Sequence, residues 1–173
     1  MPNQYLKLRR RCELILNNIE LPRPFSLDVL CERVSEQRGR PLHLRPLPRE
    51  AAESGVCGLW IGTTTADHVF YEAQTSPVHR EHIVLHEIGH MLFGHNTLDQ
   101  RKGDDVQALL PDLDPGRVRR LFGRTNYTTR QEREAEMLAS LIRMRADQPQ
   151  EEKPQGVLEK LESALGVRAS DVV

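Results

Sequence analysis

Two imidazoles and a carboxylate stand together in the run His86-Glu87-Ile88-Gly89-His90. These residue types bind metal ions or work beside them. On an α-helix, residues four apart share a face and lie about 6 Å apart along the axis. His86 and His90 can therefore set two ring nitrogens on one ion at about 2.0–2.1 Å. Glu87 falls about 100° round the same helix, close enough to reach a metal-bound water without ligating the ion itself. The spacing is H-E-x-x-H, in which zinc activates water for peptide hydrolysis and the Glu serves as general base.

That chemistry requires a helix, and the sequence predicts one over residues 78–93. Ser76 is suited to the N-cap and Pro77 to the first helical position, and Gly94 is suited to end the helix. Val84, Ile88 and Met91 point roughly opposite the two histidines, so one face can pack while the other binds metal.

A catalytic zinc takes three protein ligands and keeps one position open. A third His six residues after His90 is excluded, because Asn96 stands there and Phe93 stands where that pattern has Gly. His95 would point away if the helix continued, and could swing round only if Gly94 breaks it. The remaining candidates are Glu132, Glu134 and Glu136, on a helix predicted over residues 129–145. Met137, Leu138, Leu141 and Ile142 make its apolar stripe. Glu134 lies in line with that stripe, while Glu132 and Glu136 share the opposite face with Ser140 and Arg143. A carboxylate on a core-facing stripe is costly unless it is paired, hydrogen-bonded or on a metal. Glu134 is therefore expected as the third ligand, against a buried ion pair to an Arg as the plainer explanation. Glu132 and Glu136 are expected to be solvated, though one can hydrogen-bond a ligand histidine from behind. His82 and Tyr127 are candidates to line the cleft, Tyr127 as a hydrogen-bond donor to the reacting group.

The rest of the chain must position these residues. Leu8, Cys12, Ile15 and Ile19 recur at helical spacing over residues 4–19. A second helix is predicted over residues 27–38, capped by Ser26 and closed by Gly39. Residues 41–47, 57–62 and 68–73 read as strands, the last two joined by a hairpin turn through Thr63 to Asp67. An edge of this sheet can offer backbone groups to an extended peptide. Residues 96–128 form a long polar connection, with a short helix suggested from Pro115 to Phe122 and a locally basic run Arg117, Arg119, Arg120 and Arg124. Beyond it, residues 146–156 read as a linker, and Val157, Leu158, Leu161 and Leu165 suggest a short terminal helix.

With 173 residues, 38% of them apolar, the chain is long enough for one domain with a core. A net charge of −1 gives no global attraction to nucleic acid or anionic membrane. No apolar run approaches the roughly 20 residues that span a bilayer, and no apolar segment of signal-peptide type follows the basic N-terminus. The three cysteines, Cys12, Cys31 and Cys57, are odd in number and far apart, which argues against a disulfide framework. A cytoplasmic protein that touches neither membrane nor nucleic acid directly is expected.

His86-Glu87-Ile88-Gly89-His90, continued by Leu92-Phe93-Gly94-His95, resembles the corresponding segment of the ImmA/IrrE family of metallo-endopeptidases. Gln131-Glu132-Arg133-Glu134-Ala135-Glu136-Met137-Leu138-Ala139 is similar to that family's E-x-E-A-[DN]-x-F-A segment. The resemblance covers roughly residues 25–145. It implies that Glu134, the Glu before Ala, is the third ligand to zinc (Zn2+). It also implies that the substrate is a helix-turn-helix transcriptional repressor, often encoded alongside; other members are labelled toxin components. Three features depart from the family pattern. Glu136 stands where the family has Asp or Asn, Leu138 stands where it has Phe, and the gap between the two segments is long, with any insertion in residues 96–128.

The expected fold is α+β: N-terminal helices, a small three-stranded sheet, the central H-E-x-x-H helix and a following ligand-bearing helix. Residues 1–145 are expected to form one zinc-peptidase domain, with residues 1–25 as its N-terminal helix and 96–128 as a loop insertion; residues 146–173 follow as linker and helix. The expected function is zinc-dependent cleavage of a protein partner. The competing expectation is a zinc-containing regulatory or toxin-type module that binds its partner without proteolysis.

Overall fold

A computed structural model of the chain describes residues 2–47, 52, 55–63, 65–95 and 127–148. The described residues are α+β, with four helices and a three-stranded mixed sheet. Residues 96–126 of the long connection, with its expected short helix and arginine run, and the expected terminal helix lie outside the described residues. No described helix is long and apolar enough to cross a membrane.

The helices are α1 (Pro2–Leu16), α2 (Leu27–Arg38), α3 (Pro77–Phe93) and α4 (Thr129–Ala146). Local chemistry fixes their ends. The Ser26 side chain accepts from the Val29 N–H, and Gly39 closes α2 at φ 64°, a left-handed conformation that glycine adopts without steric penalty. Ser76 accepts from the His79 N–H at 3.2 Å, with Pro77 following it at the start of α3. Thr128 and Gln131 form a reciprocal capping box at the start of α4. α1 stops at Leu16, three residues short of the periodic pattern. Ile19 is still buried, in the turn that follows.

Strand β2 (Gly58–Gly62) pairs antiparallel with β3 (Asp67–Tyr71), as the hairpin signal predicts, and β1 (Leu42–Pro46) pairs parallel with the other side of β3. The order β1-β3-β2 leaves β2 at an edge. Asp67 begins β3 rather than sitting in the turn. Its fully buried carboxylate takes Arg38 Nε at 2.7 Å and Trp60 Nε1 at 3.0 Å, with Arg40 beside it at 3.4 Å. This network ties α2 to the sheet, and its burial is tolerable because every partner is a donor.

The core lies between the sheet and the helices. Val84, Leu85, Ile88 and Met91 of α3 meet Leu138, Ala139 and Ile142 of α4, with Leu16, Leu30, Val34 and Val69 closing the layer. α4 is covered on two sides, by α3 and by α1.

Candidate metal centre

α3 and α4 cross where Gly89 meets Ala135, and the polar groups gather round that crossing. His86 Nε2 and His90 Nε2 are 3.1 Å apart. Glu132 reaches both, with Oε2 at 3.2 Å from His86 Nε2 and Oε1 at 3.7 Å from His90 Nε2. Donors at about 2.0–2.1 Å from a tetrahedral ion stand about 3.3 Å from one another, and these separations bracket that value. Two imidazoles and a carboxylate also match the donor types of a catalytic zinc site. His86, His90 and Glu132 thus form a group that can hold a metal ion.

Glu134 is the expected third ligand, but the structure brings Glu132, not Glu134, to the histidines. Glu134 is buried, as its place on the stripe predicts, but it faces away from the pair. Its Oε2 lies 2.9 Å from His95 Nε2, and its Oε1 accepts from Arg130 Nε at 3.0 Å and from Arg11 of α1. The carboxylate is met by cations, as in the plainer explanation, with His95 added. The physical reason is that α4 buries two faces. Glu134 belongs to the face shared with α1, whereas Glu132 and Glu136 flank the contact with α3. That flank is half-exposed because the groove beside it is open, so periodicity assigns it to solvent. A usable signal was present: Glu132 and Glu136 repeat at the same four-residue interval as His82, His86 and His90, giving two ladders that can face each other.

Glu136 supports the site from behind. Its Oε2 is 3.2 Å from His86 Nδ1 and 3.2 Å from His82 Nε2. Carboxylates flank both ring nitrogens of His86, Glu136 at Nδ1 and Glu132 at Nε2. With Glu132 and the Nε2 lone pair turned to a metal, Glu136 is the acceptor that holds the hydrogen on Nδ1. The Tyr127 ring stacks on His90, with centroids 3.6 Å apart and 13° between planes.

His95 reaches the site because Gly94 breaks the helix at φ 68°, with the Gly94 N–H bonded to the Met91 carbonyl and the His95 N–H to the His90 carbonyl. The reversal carries the ring behind His90 rather than onto the donor set, with Nδ1 to Nδ1 at 3.0 Å.

Glu87 lies against the edge strand. The Trp60 N–H hydrogen-bonds to it, and a Cβ on Gly58 would stand 2.7 Å from its Oε1. Only glycine at 58 lets the carboxyl in. The other oxygen, Oε2, is buried with no hydrogen-bond partner among the described residues. Burial pushes this carboxyl up to about 8, with the Glu132 charge adding and the Trp60 bond opposing. Burial, with the neighbouring histidines adding, lowers His90 to about 3, so that ring is neutral and its lone pair is free. Burial also lowers His95. Burial alone would raise Glu134, but the bonds from Arg130, His95 and Arg11 outweigh it and hold the carboxyl low.

A groove of about 470 Å³ joins these groups. Gly55 to Leu59 make one wall, the His82, His86, Glu87 and His90 side of α3 makes the floor, and Tyr127, Glu132 and Glu136 make the far wall. Glu72 N–H to Cys57 O and Thr63 N–H to Ala66 O set the hydrogen-bond alternation of the hairpin. Gly58 and Trp60 therefore turn their backbone groups to the outer edge, which no described strand pairs and where the Trp60 N–H meets Glu87. No protein-family model, curated protein or solved structure matches the chain.

Proposed function

We propose that the protein is a zinc-dependent endopeptidase whose ligands are His86, His90 and Glu132 and whose general base is Glu87. The observation that carries this reading is the donor set, spaced 3.1–3.7 Å, with a buried carboxyl oxygen left unpaired beside it. A buried acceptor with no partner is costly, and a reacting water is the partner hydrolysis would supply. Zinc held by these residues contributes Lewis acidity, which acidifies a water and polarises a peptide carbonyl.

This chain's own residues do the rest. Glu87 takes the proton of the attacking water and returns it to the leaving amine. Glu136, itself met by His82, holds His86, Tyr127 holds the plane of His90, and Glu132 closes the donor set. The outer edge at Gly58, unpaired among the described strands, supports binding of an extended peptide by backbone pairing, which would lay its carbonyls along the groove. The substrate proposed is a helix-turn-helix repressor in the cytoplasm. That choice rests on the resemblance of the His86–His95 and Gln131–Ala139 segments to ImmA/IrrE peptidases.

The test replaces Glu87 with Gln. Zinc should remain bound at one per chain while cleavage of a helix-turn-helix repressor substrate falls by about 10²–10⁴-fold, the scale of a lost general base. Chelation should stop the wild type. Cleavage that survives both treatments overturns the assignment, as does a pure protein that binds no zinc.

A further inference from the structure

Behind His90 runs a line of hydrogen bonds that the donor set does not use. His90 Nδ1 is 3.0 Å from His95 Nδ1, and His95 Nε2 is 2.9 Å from Glu134 Oε2. All three side chains are 6% exposed or less, so water does not compete for these contacts. Glu134 Oε1 is taken by Arg130 and by Arg11.

Proton counting fixes the direction of the line. A carboxylate facing two guanidinium groups is an acceptor only, so His95 carries its hydrogen on Nε2. A neutral imidazole protonated there has its acceptor at Nδ1. In the 3.0 Å contact the donor must then be His90 Nδ1–H. The lone pair of His90 is left on Nε2, the atom 3.1 Å from His86 Nε2.

We propose that His95 and Glu134 are positioning residues that lock His90 in its Nδ1–H tautomer and so keep Nε2 open for the metal. This deepens the metal-site reading and rests on it. Free histidine favours hydrogen on Nε2, the form that blocks the ligand atom, so the locked tautomer has to be imposed from outside the ring. Arg11 anchors the outer end of the line. The N-terminal helix α1 thereby takes part in the metal centre although it contributes nothing to the groove. The burial of an imidazole and a carboxylate away from the groove, otherwise costly, has its reason here.

The experiment reads the tautomer by long-range ¹H–¹⁵N correlation on the full chain in chelator, and zinc affinity by competition with a chromophoric chelator. In the wild type His90 should give the Nδ1–H pattern. His95→Phe keeps an aromatic ring beside Phe93 but removes the acceptor. It should move His90 toward the Nε2–H pattern and weaken zinc by about 10–100-fold, the usual effect of losing a partner behind a ligand histidine. Glu134→Gln keeps an acceptor for His95 and should retain the Nδ1–H pattern. An Nε2–H pattern in the wild type overturns the proposal whether or not the variants fold. So does a His95→Phe protein with unchanged tautomer and unchanged affinity. A wild type with the Nδ1–H pattern that binds no zinc refutes the metal reading and leaves the relay standing.

Discussion

Gly89 and Ala135 meet backbone to backbone: a Cβ on residue 89 would stand 2.9 Å from both the Cα and the carbonyl oxygen of Ala135. This close approach lets Glu132, three residues before Ala135, span the two histidines on either side of Gly89. Glycine within a helix is unfavourable by about 1 kcal/mol relative to alanine, and here the contact explains its presence. Gly89→Ala gains helix propensity but must push one backbone away from another, which typically costs about 1–3 kcal/mol. We expect a net loss of stability in urea and weaker zinc binding, because the donors spread. A stabilised variant with wild-type zinc affinity would show that the helices can part without opening the site.

Glu132 and Glu134 are two residues apart and do different work, which paired substitutions can separate. Glu132→Gln removes a charged donor from a half-exposed position. Stability should stay within about 0.5 kcal/mol, and zinc affinity should fall by more than the roughly 10–100-fold of a supporting residue. Glu134→Gln should do the reverse. It weakens charge-assisted bonds to Arg11 and Arg130, at a cost of about 1–3 kcal/mol, and keeps zinc to within about tenfold, since His95 retains its acceptor. Isothermal titration and urea unfolding on both proteins decide the assignment. The opposite pattern would return the ligand role to Glu134.

Gly58 offers a third test, because the space above it is filled by the Glu87 carboxyl. Gly58→Ala puts a methyl group 2.7 Å from Glu87 Oε1 and 2.7 Å from Ile83 Cγ2. The carboxyl sits at the end of a flexible side chain, so it is the group that gives way. The expected result is normal zinc content with a kcat lowered by about 10–100-fold, the scale set by a displaced catalytic group. Unchanged turnover would mean that the position of Glu87 in the groove is not what limits the reaction.

The sequence was most legible where one residue type admits one local conformation. Ser76, Pro77 and Gly94 bound α3, and Thr128 with Gln131 bounds α4, so both site-bearing helices fall where capping chemistry puts them. The placement of His86, Glu87 and His90 along one helix follows from spacing alone. Glu132 was not legible in this way. The stripe of Met137, Leu138 and Leu141 reports burial, and burial correctly singles out Glu134. It does not report which neighbour does the burying, and α1 arrives from residues more than a hundred positions away. His95 was legible only conditionally, on whether Gly94 takes a positive φ. The parallel pairing of β1 with β3, and the Asp67 network that joins α2 to the sheet, are long-range outcomes with no local mark.

Removing the metal should expose an unusual pH dependence. The Glu87 carboxyl is pushed up to about 8 in the folded chain from an ordinary 4.5. Between those values the folded chain holds a proton that the unfolded chain has released, so stability falls as pH rises. His90 acts in the opposite sense. Lowered to about 3 from 6.5, it leaves the folded chain without a proton that the unfolded chain binds in acid, so stability falls as pH drops below 6.5. The two slopes offset between 4.5 and 6.5, and Glu87 acts alone of the pair between 6.5 and 8. In chelator, wild-type stability should therefore decline by about 2 kcal/mol across that upper window, at about 1.4 kcal/mol per pH unit. Glu87→Gln, which stays neutral, should lack this decline. It should be more stable than the wild type near pH 8 and lose that advantage near pH 5. Zinc places positive charge beside the carboxylate and should flatten the wild-type slope. Urea midpoints across this range, with and without zinc, provide the measurement. A difference between wild type and variant that is constant with pH would mean that Glu87 is already ionised in the metal-free fold.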